Sequence, residues 1–484
     1  MRFLASTVCL SALLGSTGLS HAQTALSLDE TIDRVEDAYS TDRLLRARTI
    51  RMEEDRREAF RSHDYGPDFH EMTAQRRHYV FDLQGERATS EYVTLIGTNT
   101  YHGRSIVADG EALFIDYGAN SYEPQGAADF TARHNDQTRA SDVLLAMKLA
   151  SNPETARLAR QAMWLGSRHS VVELPMDGSV PMMVYVENDT GFIRKMTRTV
   201  SPDITVFYTY DHHTVEDGVA VAREFSVYAN RDPLFFSFAR GVRVNDRRDR
   251  KAFKVDRGVV EEPSRVDQSE MTVDDWNGTA FHVGMGESYT TFFPTTEGLV
   301  AVGTHAGLSD RLKAYREDTG DRQPLRYAVV ADHQAEELAG IEDALAETAT
   351  LVVTPHTLSR LTDIRGAEDG IIDILTVADR QTVAGLELMM IPTSDASQVL
   401  VTYDPDARLV LQSGHYVSPY EATGFYAKHS AVSLMDGLEP MGLSPSHIVS
   451  SQSRKAEAWT DFVQAVETYD PTRCFKDRPI CDGL

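Results

Sequence analysis

The stretch Tyr327–Ile341, YAVVADHQAEELAGI, decides how the second half of the chain is read. It opens on a short apolar run of strand type. It then passes through a loop dense in Asp, His and Glu, and closes on the start of a helix. Strand, loop and helix in that order put ligand-type side chains at a strand end, where an α/β layer holds a metal or a catalytic group.

The surroundings extend the pattern. Before it, LVAVGT reads as a strand and SDRLKAYRED as a helix; after it, EELAGIEDALAE reads as a helix and TATLVVT as a strand. Apolar strands alternating with helices predict an α/β layered unit. Further on, LELMMIP, QVLVTYDP and RLVLQSG are strands, the last two a hairpin around DPDA. Two helices close the unit, in GFYAKHSAVSLMDGLEPMGL and RKAEAWTDFVQAVETY. In the second, Trp459, Phe462, Val463 and Val466 share one apolar face and are read as core.

The first half has a different texture. Ser27 and Glu30 form a capping box, with Ile32, Val35 and Tyr39 at helical spacing behind it, which predicts a helix over roughly 28–40. From about 47 to 250, short β-branched and aromatic runs are split by Gly, Asp, Asn and Pro. Two helices interrupt them, in RASDVLLAMKLA and in PETARLARQAMWL, the latter opened by Pro153. Many short strands with few helices predict a curved antiparallel sheet with one helix-covered face. A polar stretch near 255–270 reads as the linker.

The ends and the composition bound the setting. The first 22 residues carry one Arg, an apolar run and small residues before a cut after Ala22, the pattern of a signal peptide. No later run of 18 apolar residues is available for a membrane span. A net charge of −25 repels phosphate backbones, which excludes nucleic acid as a natural partner. Once Cys9 leaves with the signal, Cys474 and Cys481 remain, spaced for a small disulfide loop in an oxidising compartment. The expected organisation is therefore a signal peptide at 1–22, an antiparallel β-rich domain at 23–265, an α/β domain at 266–470 and a disulfide-pinned tail at 471–484, in a secreted, periplasmic protein.

The second half resembles the metallo-β-lactamase superfamily. GLVAVGT, QPLRYAVVADHQAEELAGI, ATLVVTP, QVLVTYDPDARLVLQSGHY and SHIVSSQSRKAEAW follow the family's order of strands, metal loop, hairpin and final helix. The first half resembles the half-barrel of periplasmic lipoprotein carriers, through the hairpin cadence of YTYDHHTVEDGVAVAREFSVYA. The expected fold class is thus α+β: a curved antiparallel β domain followed by an αββα metallo-β-lactamase-like sandwich.

The resemblance also says where zinc ligands would stand. The family's first two His fall on Asp332 and Gln334, its Asp on Glu336 and the next His on Glu337, while Gly340 is retained. The later His falls near Ser394, the bridging Asp on His415 and the last His near Gln452. Zinc takes imidazole, thiolate and carboxylate, so Gln and Ser are poor replacements. Asp332, Glu336, Glu337 and His415 are the candidate metal ligands, read either as a solvated acidic rim left by a lost site or as an oxygen-rich site for a harder cation.

Other clusters have plainer readings. His333 is expected to face solvent. The HDYGPDFH segment, His63–His70, reads as a polar turn, and His212 and His213 point to opposite faces of a strand. His305 and His356 follow strand ends and rim the cleft. No nucleophile elbow, Walker loop or dinucleotide fingerprint is present, and no catalytic residue is assigned.

The function expected from all this is an exported protein with a degenerate metal site that binds a small molecule, lipid or protein without hydrolysing it. No cofactor is expected; the alternative is zinc or another divalent metal. Two other functions stay open: a metal-dependent hydrolase of esters, amides or thioesters with non-canonical ligands, and an acyl-chain carrier. Whether the protein is an enzyme is left undecided.

Overall fold

The computed structural model describes residues 25–481 apart from 61–70, 97–98, 177–178, 203, 231, 263–267, 334, 362–371, 394–397, 417–428 and 471–477. The expected signal peptide, the His63–His70 turn and Cys474 of the expected disulfide lie outside these residues.

Residues 49–261 build one fourteen-stranded sheet of two meanders. They join in its centre, where Thr49–Phe60 pairs antiparallel with Asp232–Val244. All pairings are antiparallel except the last, where Val260–Glu261 runs parallel to Ser121–Tyr122. Part of the expected linker thus extends the sheet. The edges are Val260–Glu261 and Arg157–Trp164.

One face of this sheet is covered by helices. Leu28–Tyr39 starts at the capping box read from the sequence: the Ser27 hydroxyl accepts from the Glu30 N–H and Glu30 accepts from the Ser27 N–H. Its Ile32, Val35 and Tyr39 are buried, as their spacing requires. Asp142–Ser151 buries almost every side chain against the same face, with Leu144 and Leu145 wholly inside. Two cavities between helix and sheet hold about 10 Å³ each, room for a single water.

Two predicted helices turn out differently. In PETARLARQAMWL, Pro153 opens only a three-residue turn, and Arg157–Trp164 is the edge strand. Pairing with Ser167–Met176, and the Gln161 amide bonding to Ser170, satisfies this segment as a strand. Tertiary pairing overrides its helical propensity. EELAGIEDALAE is broken at Gly340 into Ala335–Leu338 and Ile341–Ala346.

Beyond residue 271, two sheets stack. The first has seven strands in sequence order, Thr272 to Thr376, and turns parallel at Gly298–Val302, Leu325–Val329, Thr350–Val353 and Ile374–Thr376. The second has six strands, Gln381 to Ala458, with His447–Ser450 parallel to Leu409–Gln412. Val300, Val302, Val329 and Val352 of the first sheet share one core with Leu388, Leu400, Leu411 and Val449 of the second. Helices Leu308–Thr319, Ile341–Ala346 and Pro355–Leu361 cover the outer face of the first sheet. His429–Leu438 and Trp459–Thr468 cover that of the second, with Trp459, Phe462 and Val466 in its core. The layers run helix, sheet, sheet, helix.

The tail returns to the fourteen-stranded sheet. Arg478 forms a two-pronged pair with Glu91 at 2.6 Å per prong, and Ile480 is fully buried. The Tyr469 ring lies so close to Gly118 that a Cβ there would sit 2.5 Å from it.

Candidate functional site

Parallel strands place their carboxyl ends along one rim, and the loops leaving that rim carry the site. Strand Leu325–Val329 delivers Asp332 to Glu337, strand Gly298–Val302 delivers Thr304 and His305, and strand His447–Ser450 delivers Ser451.

Glu337 is the hub. It is buried, and its carboxylate accepts three protein donors. Ser451 Oγ donates to Oε1 at 2.8 Å, His305 Nε2 lies 2.9 Å from the same oxygen, and the Thr304 N–H donates to Oε2 at 3.1 Å. The Thr304 hydroxyl also donates to the Glu337 carbonyl at 2.6 Å, and the Gly340 N–H donates to the Thr304 carbonyl at 2.7 Å. The two loops lie so close that a Cβ on Gly340 would stand 2.2 Å from the His305 carbonyl oxygen and 2.4 Å from that of Thr304. That contact explains the glycine. Arg311, buried beneath, donates to the His305 and Ala306 carbonyls and to Thr290 Oγ1.

Ser451, His305 and Glu337 have the composition of a nucleophilic triad, with Ser451 Oγ 2.9 Å from His305 Nε2. Their geometry is different. Serine and carboxylate both face the same ring nitrogen, whereas a relay needs them on opposite nitrogens. Ser451 Oγ already gives its one proton to Glu337 Oε1, so it has none to pass to Nε2. The triangle is a closed hydrogen-bonded clasp between loops of the two sheets.

The four residues singled out from the sequence are divided by the structure. Glu336 is exposed and its neighbour Glu337 is buried. Asp332 is buried, and its Oδ1 accepts the His333 N–H at 2.6 Å. His415 is buried, with Nε2 3.3 Å from Thr393 Oγ1. The picture of a solvated acidic rim is therefore corrected: two of the three loop carboxylates are inside. His333, expected in solvent, is only 7% exposed, its Nδ1 3.3 Å from Asp332 and its ring 5.3 Å from that of His356. The loop folds inward because its backbone and side chains find partners under the strand ends. His212 and His213 do split between faces, with His213 buried against Asp142 and Tyr39.

Among the described residues, no group of three or more His, Cys, Asp and Glu stands where it could hold an ion. Glu337 would have to give up three donors to become a ligand. Gln334 and Ser394, where the resemblance read from the sequence would put two His, lie outside the described residues. The described residues do not fit a zinc centre.

His305, expected at the cleft rim, takes part in the clasp, and so does Ser451, which the sequence does not single out. The only signal for Ser451 is positional: it follows the strand His447–Ser450.

No protein-family model matches the chain, and no curated protein matches it. Among solved structures it is similar to a metallo-β-lactamase from Pontibacter korlensis at 15% identity, covering 41% of this chain and 99% of that one with a TM-score of 0.33. It is similar to a metallo-β-lactamase from Hirschia baltica at 10% identity, covering 42% and 99% with a TM-score of 0.33. A flavodiiron protein from Giardia intestinalis shares 14% identity, covering 43% of this chain and 60% of that one with a TM-score of 0.34. The likeness is one of fold, over part of the chain.

Proposed function

We propose that the protein is an exported binding protein in which a metallo-β-lactamase-like sandwich keeps its strand-end cleft and uses it for recognition, not for metal-dependent hydrolysis. In this reading residues 1–22 are a signal peptide, 23–265 and 266–470 are two domains, and a Cys474–Cys481 disulfide pins the tail in the periplasm. The observation that carries it is the commitment of Glu337. A carboxylate at a metal-ligand position that already accepts Ser451, His305 and Thr304 serves as a strut. Glu336 is exposed beside these strand ends, which suits a cationic or hydrogen-bond-donating ligand. The packed inner face of the fourteen-stranded sheet weighs against the acyl-chain carrier, since core side chains fill it.

The test is the metal content and hydrolytic activity of the mature protein purified with zinc present. The expected result is substoichiometric zinc and no chelator-sensitive turnover of ester, lactam or thioester substrates. Stoichiometric zinc with chelator-sensitive turnover overturns the reading in favour of a hydrolase with non-canonical ligands.

A further inference from the structure

The face of the fourteen-stranded sheet opposite the helices carries a second constellation, far in sequence from the strand-end loops. Near the Arg157–Trp164 edge, Lys195 Nζ sits among three rings, 5.6 Å from the centroid of Trp164, 5.1 Å from Tyr185 and 5.2 Å from Phe207. Arg160 stands beside it and donates to the Tyr185 hydroxyl at 3.0 Å. The register places Arg160 opposite Val171, Val171 opposite Tyr185, and Tyr185 opposite Lys195. Val171 lies in this outward row yet is fully buried, so these side chains form a built platform over it.

The charge at this platform is out of balance. Among the described residues neither Arg160 nor Lys195 has a carboxylate partner. The nearby acids are engaged elsewhere: Glu173 with Arg157 at 2.7 Å, Asp211 with Arg194 at 2.9 Å and Glu187 with the Thr190 hydroxyl at 2.7 Å. Two adjacent cations without an acid run against a chain of net charge −25. Burial, and then the neighbouring Arg160 charge, hold the Lys195 ammonium below its ordinary range, the mark of a site that would gain from an anion.

We propose that this platform binds a carboxylate carried on a ring, with Arg160 and Lys195 taking the carboxylate and the ring lying against Trp164 and Phe207. The guanidinium fork matches a carboxylate, the ammonium adds a point charge, and the half-buried aromatic side chains offer apolar contact to a ring. An aromatic acid and an acidic sugar share this chemistry.

Equilibrium dialysis of the full mature chain tests it, with benzoate and glucuronate as ligands, acetate as the charge control, and benzyl alcohol and glucose as neutral-ring controls. One-to-one binding of a ring acid is expected, with acetate and the neutral rings weaker by about tenfold or more. Preference for benzoate assigns an aromatic acid and preference for glucuronate an acidic sugar. Arg160→Gln and Lys195→Met each weaken binding about tenfold with unchanged melting temperature. Trp164→Leu weakens the ring acids and leaves acetate unchanged. Absence of saturable binding by both ring acids, acetate binding as tightly as either, or wild-type affinity in Arg160→Gln and Lys195→Met overturns the proposal.

Discussion

Ser451 donates to Glu337 across 2.8 Å, and this one hydrogen bond joins a loop of the seven-stranded sheet to the end of a strand in the six-stranded sheet. The two residues are 114 positions apart. With His305 they close a clasp at the strand ends where the two sheets meet.

Ser451→Ala removes a hydrogen bond to a buried carboxylate and is expected to cost about 2 kcal/mol. Glu337→Gln disturbs all three donors and costs about 2–3 kcal/mol. Because the residues share one network, the double variant falls short of the sum by about 1 kcal/mol. Denaturant unfolding of the four proteins checks this; strict additivity removes the clasp.

Gly340→Ala forces a methyl group against two carbonyl oxygens fixed by Arg311 and by the Thr304 hydroxyl bond. The loss is expected to exceed about 2 kcal/mol, as in other overpacked sites. Ala339→Gly next to it serves as the control, and a melting temperature for Gly340→Ala equal to wild type refutes the close approach.

Arg478→Met tests the tail. Burial pushes the Glu91 carboxyl up, but hydrogen bonds from His102 and Arg478 outweigh it and hold it well below the usual carboxylate range. Removing one partner of a buried pair costs about 3–5 kcal/mol. The sign with pH follows from the lowered value: the wild-type contribution is complete above the ordinary carboxylate pKa near 4.5 and is lost as pH falls below it. Arg478→Met should therefore lose stability at neutral pH and converge on wild type in acid, as read by unfolding at several pH values.

His282 predicts a second acid sensitivity. It is buried between the sheets, its Nδ1 2.8 Å from Thr291 Oγ1 and its Nε2 2.8 Å from the Ser453 carbonyl. Burial pushes its pKa down to about 4 from an ordinary 6.5. The unfolded chain then binds the proton that the folded chain refuses, so stability falls as pH drops from 6.5 towards 4 and levels off below. The full effect is about 3 kcal/mol. His282→Gln should flatten that part of the stability profile; an unchanged slope counts against the buried neutral imidazole.

The sequence by itself determined the periodic features. The alternation of strand and helix after residue 271, the capping box at Ser27, the hairpin around Asp404–Ala407 and the apolar face of the last helix depend on neighbours within a few positions, and they were legible for that reason. The helix expected at Arg157–Trp164 is a strand and marks the limit of local rules, since cross-strand partners decided it. Tertiary structure alone decided which loop carboxylate turns inward. Glu336 and Glu337 are chemically alike and adjacent, yet Ser451, His305 and the Thr304 N–H converge on the second only. A buried carboxylate is stable only where donors from distant segments meet it, and that meeting is a property of the folded chain.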